Sequence, residues 1–116
     1  AIAYSALCNI GNFCGVDLAS LAWSFARLEF VHQPLLAAIS AAALPKMSEF
    51  QPVSLAKLAW AYAKLEIQDV PLLAALSDAA IVRIGDFNQQ NMANTAWAYA
   101  KLVVEDIPLL EAIAKH

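Results

Sequence analysis

Arg27, Lys64 and Lys101 stand 37 residues apart, and Ser20, Lys57 and Asn94 repeat at the same step. A row of cations can hold phosphates, and a row of short polar side chains can meet base edges. Around them the polar residues keep spacings of three, four and seven. They are Asp17, Ser20, Ser24 and Arg27, then Ser54, Lys57 and Lys64, then Asn91, Asn94 and Lys101. On a helix such spacings place side chains on one face. These ten residues are the candidate ladder facing a partner. Simpler roles stand beside that one. Arg27, Lys64 and Lys101 fall near helix C-termini, where a cation offsets the macrodipole by about 0.3–1 kcal/mol with no ligand. Asp17, Ser54 and Asn91 fall at the third helical position, where a short polar side chain reaches back to the cap.

Catalysis finds no constellation. His32 and His116 occupy non-equivalent positions and lack a Cys or carboxylate partner. Glu29 and Glu66 align, but Val103 follows them. With 3 glycines in the chain there is no glycine-rich phosphate loop, and no serine has a His and acid to activate it. Cys8 and Cys14, six apart, match neither CxxC nor half of a zinc set. A buried thiol pair is expected of them, with a local disulfide as the alternative. The expectation is a non-enzymatic protein without catalytic, cofactor or metal site.

The elements that would carry the ladder follow from an internal repeat. Leu18–Leu28, Leu55–Leu65 and Met92–Leu102 align at an offset of 37, which superimposes Trp23, Trp60 and Trp97 as well as the Pro-Leu-Leu triplets at Pro34, Pro71 and Pro108. Each repeat predicts two helices. Helix A covers about 15–29, 52–66 and 89–103. Phe13, Phe50 and Phe87 precede its caps at the spacing of a hydrophobic staple to Leu18, Leu55 and Met92, and Pro52 suits the first turn. Helix B covers about 33–44, 70–82 and 107–116, with Asp69 and Asp106 as N-caps, Pro71 and Pro108 in the first turn and Gly11 and Gly85 at the exits. Its many alanines would allow close helix approach. Ile2, Leu7 and Phe13 match Ile39, Leu44 and Phe50, so the chain opens inside a helix B.

The predicted fold is all-α, an α-solenoid of antiparallel helical hairpins with about seven helices. Residues 1–12 form a half repeat, 13–49 repeat 1, 50–86 repeat 2 and 87–116 an incomplete repeat 3. A chain cut in mid-repeat implies missing flanking repeats or other caps. The absence of an initiator Met implies processing or a longer protein. The tryptophans share a side with Ala19 and Ala26, which predicts burial in the core between repeats rather than stacking on bases.

Hydrophobic residues make up 61% and charged residues 15% of the chain. That balance leaves apolar surface for a neighbour to cover. No apolar run approaches the ~20 residues of a membrane span, and the N-terminal stretch lacks the basic flank of a signal peptide. A net charge of −3 and a pI near 5.1 weigh against non-specific nucleic-acid binding.

The segment Gln90-Asn91-Met92-Ala93-Asn94-Thr95-Ala96-Trp97-Ala98-Tyr99-Ala100-Lys101-Leu102 resembles the octotricopeptide repeat signature. It resembles still more the 37-residue heptatricopeptide repeats. The resemblance extends over essentially the whole chain. It implies paired helices in a superhelix, a plastid or mitochondrial setting, and binding of organellar RNA in transcript maturation or translation. Composition and length instead favour a scaffold that docks onto protein subunits of a larger organellar assembly, such as a ribosome, photosystem or respiratory complex. Any membrane contact would then pass through that partner. Single-stranded RNA binding is the alternative.

Overall fold

Described in the computed structural model are residues 10–102 and 107–115. They are helical, with no strand among them. Six α-helices occur in this part: α1 Gly15–Arg27, α2 Gln33–Ala43, α3 Pro52–Lys64, α4 Val70–Val82, α5 Gln89–Lys101 and α6 Ile107–Lys115. Short 3₁₀ helices at Ile10–Asn12, Leu44–Glu49 and Ile84–Asp86 lead into α1, α3 and α5. The expected leading half-hairpin lies, apart from Ile10–Asn12, outside the described residues, as do Cys8 and the expected cap Asp106.

Local signals set the helix starts. Phe13, Phe50 and Phe87 each precede an N-cap, which is Cys14, Gln51 and Asn88 respectively. Phe50 and Phe87 are buried in the core with Leu55. Asn88 accepts from the Asn91 amide at 2.7 Å, and the Asn91 side chain accepts from the Asn88 amide at 3.1 Å, a reciprocal capping box. Asp17 reaches back to the Cys14 amide at 3.3 Å. Asp69 caps α4 by accepting from the Leu72 amide at 3.1 Å. His32 occupies the equivalent place and caps α2 through Nδ1, 3.1 Å from the Leu35 amide. The two residues are 37 apart.

The odd-numbered helices end two residues earlier than their hydrophobic pattern predicts. Glu29 and Glu66 adopt φ of 54° and 57°. The Glu29 amide bonds back to Ala26 and the Phe30 amide to Phe25. Glu66 and Ile67 do the same to Ala63 and Tyr62. This is the Schellman turn, with its left-handed residue just past the C-cap. Phe30 packs edge-on to Phe25 at 5.4 Å and completes the hydrophobic contact typical of it.

The broadest helix contacts run from α1 to α3 and from α3 to α5. The alanines that permit this sit on these helices and not on α2 and α4, where the sequence predicts them. Ala19, Ala22 and Ala26, with Ala56, Ala59 and Ala63, are essentially inaccessible. The second helices meet less extensively: Leu44–Glu49, which follows α2, lies against α4, and α4 contacts α6 directly. Hydrogen bonds lock the hairpins in sequence. The Tyr62 hydroxyl donates to the Leu36 carbonyl and the Tyr99 hydroxyl to that of Leu73. Lys46 Nζ donates to the Phe13 carbonyl at 2.6 Å, and Gln68 Nε2 to that of Leu102 at 2.6 Å.

Candidate functional site

The outward face of α1, α3 and α5 carries the site. Trp23, Trp60 and Trp97 run along it in a row. Neighbouring ring centroids are 6.3 Å apart at both steps, tilted by 42° and then 31°. Trp23 and Trp60 are half-buried, and Trp97 is 43% exposed. They do pack between successive helix pairs, as expected, but at the surface rather than in the core. The cause is the alanine seam beside them. Helices this close leave no room for an indole between them, so the rings lie at the edge and cover one another.

Cations flank the row. Arg27 lies over the Trp23 ring with Cζ 4.9 Å from its centroid, and Lys57 Nζ approaches the same ring at 5.5 Å from the next helix. A cation over an indole face is attracted by the ring quadrupole. Lys64 and Lys101 follow Trp60 and Trp97 by four residues, one turn on, and are exposed. Four of the chain's 7 basic residues, Arg27, Lys57, Lys64 and Lys101, therefore stand on this face. Lys46 and Arg83 lie elsewhere, Arg83 donating to the Ser48 carbonyl at 3.0 Å. Glu29 and Glu66 stand on the same edge, 3.7 Å and 3.5 Å from Lys64 and Lys101, so the face carries both signs.

The ladder drawn from the sequence is assembled only in part. Arg27, Lys57, Lys64 and Lys101 are accessible beside the indoles, with Ser20 and Asn94 half-buried along the same row. Asn94 accepts from Gln90 Nε2 at 3.0 Å. Ser54 and Asn91 are buried, 2% and 6% exposed, and cannot face a partner. Asp17 is engaged with Cys14, and the Ser24 hydroxyl donates to the Ser20 carbonyl at 2.8 Å. Asp17 and Asn91 serve helix starts, each side chain accepting from the backbone amide of its cap residue. Cys14 is exposed, contrary to the buried thiol expected, and its Sγ lies 3.2 Å from Asp17 Oδ2.

The tryptophans were the part of the site that sequence reasoning misplaced. A signal was present: the polar residues Ser20, Lys57 and Asn94 stand three before the indoles and the cations Arg27, Lys64 and Lys101 four after, which puts each ring on the polar face.

A concavity of about 490 Å³ lies between Leu44–Glu49 and α4. Met47, Ala75, Ala79 and Val82 line it, with Asp78 and Asp86 at its rim. No group of three or more potential metal ligands occurs among the described residues. No helix there is long and apolar enough to cross a membrane. No protein-family model and no curated protein matches the chain.

Proposed function

We propose that this chain is an α-solenoid of 37-residue helical hairpins that binds single-stranded RNA along its tryptophan row. The observation carrying this reading is the row itself: three solvent-reaching indoles at 6.3 Å intervals with Arg27 and Lys57 against the first. Bases stack on such rings with ~1–3 kcal/mol each, whatever their identity, while nearby cations track the phosphates. The solenoid part rests on recurrence. Ring contacts, tyrosine–carbonyl bonds and left-handed glutamates each return after 37 residues. The choice of RNA, and of an organelle, rests on the resemblance of Gln90–Leu102 to the heptatricopeptide repeats.

The test is a fluorescence titration of the protein with single-stranded oligoribonucleotides. Quenching of the indoles is expected, with an affinity that falls as salt rises. An oligonucleotide that leaves the emission unchanged at low salt would reject the reading.

One observation favours a second reading, docking onto protein subunits of a larger organellar assembly. The concavity beside α4 is mostly apolar, and Val82 at its edge is 84% exposed. Co-purification that survives RNase and is lost in Val82→Asp would support it, and a chain that stays monomeric and unaccompanied would oppose it.

A further inference from the structure

Each turn after α1 and α3 places a glutamate where glycine is the usual residue. At φ of 54° and 57°, Glu29 and Glu66 hold a backbone conformation unfavourable for any residue with a Cβ. Both carboxylates reach across to the following hairpin. Glu29 Oε1 lies 3.7 Å from Lys64 Nζ, and Glu66 Oε1 lies 3.5 Å from Lys101 Nζ. The edge beside the tryptophans therefore alternates in sign: Arg27, Glu29, Lys64, Glu66, Lys101. Among the described residues Arg27 and Lys57 make no ion pair, and both lie over Trp23. The row is thus electrostatically uneven, more open to phosphate at Trp23 than at Trp60 and Trp97.

We propose that Glu29 and Glu66 are latches that hold Lys64 and Lys101 back from a bound strand's phosphates, so that the row selects unpaired bases by stacking more than by charge. The proposal rests on the RNA reading above. The glutamates are 73–74% exposed and the lysines 39–42%, so a strand can reach and displace the pairs. Exposed ion pairs of this kind are weak. Displacement is therefore easy, but the strand gains less from each lysine than from a free one. Double-stranded nucleic acid, which offers phosphates and no base faces, benefits least.

The experiment compares the full chain with Glu29→Gln, Glu66→Gln, the double variant and Glu49→Gln. The last removes the same charge at an exposed position on the Leu44–Glu49 turn, outside the row. Affinity for a single-stranded oligoribonucleotide is measured across a salt series. Each latch variant is expected to bind about two- to fivefold tighter. The double variant should steepen the log–log salt slope by about 0.7 for each freed lysine, and Glu49→Gln should match the wild type. The latch is overturned if the double variant binds no tighter than the wild type, or if Glu49→Gln gains as much. If the wild type binds RNA and only the glutamine variants fail to respond, the latch falls and the RNA reading stands. If no form binds, both fall.

Discussion

The Tyr62 hydroxyl donates a hydrogen bond to the Leu36 carbonyl, 26 residues earlier, and so fastens α3 to the hairpin before it. Tyr99 fastens α5 to Leu73 in the same way. Both tyrosines are among the most deeply buried large side chains. Burial, and after it the Asp69 carboxylate, push the ionisation of Tyr62 well above its ordinary value.

Tyr62→Phe should cost about 0.5–1.5 kcal/mol in chemical denaturation, the net value of one such bond. Tyr99→Phe should cost a similar amount. The pH dependence has a definite sign. Since the folded chain holds the Tyr62 proton more tightly than the unfolded chain, its contribution is complete below the tyrosine's ordinary value of 10.0 and declines as pH rises above that. Denaturation midpoints measured between neutral and strongly alkaline pH should fall in the wild type and fall less in Tyr62→Phe.

Gly15→Ala should destabilise the fold by about 1–3 kcal/mol, the usual cost of overpacking a filled core. A Cβ on Gly15 would stand 2.9 Å from Cδ1 of Phe50, a ring that is itself fully buried and cannot retreat. Gly85→Ala is the control. Nothing lies within 4 Å of its Cβ position, so the change should stay within about 0.5 kcal/mol. Equal effects from the two would contradict the packing around Phe50.

Asp69→Ala should cost about 1 kcal/mol through loss of the α4 cap. His32→Asp should stabilise the chain by a few tenths of a kcal/mol, roughly the value of an anion at a helix N-terminus. It places in the first hairpin the residue that the second already uses. Thermal unfolding of the two variants reads both effects.

Trp97→Ala should weaken oligoribonucleotide binding about tenfold or more, because its indole is the most exposed of the three and has a ring neighbour on one side only. Trp60→Ala, whose ring has a neighbour on both sides, should lose less. Identical losses would argue against a continuous stacking row.

Much of this was legible in the residue order. The places of all six described helices follow from the repeat and from Phe13, Phe50, Phe87, Asp69 and the prolines, because staples, caps and first-turn prolines act over a few residues. The glutamate turns were not legible. Nothing in Glu29 announces a left-handed conformation that glycine normally supplies, and only the bonds to Ala26 and Phe25 close it there. Within the ladder, Ser54 and Asn91 share the spacing of Ser20 and Arg27 but not their fate. Periodicity gives the face of a helix, not whether a short polar group turns back along the axis.

By itself, then, the order of residues determined the helices, their starts and the register that makes positions 37 apart equivalent. Tertiary structure decided which of the repeated residues meet solvent. An indole is equally suited to a core and to a surface. Trp23, Trp60 and Trp97 reach the surface because alanine-lined helices approach too closely to admit them, and that distance is a property of two helices together.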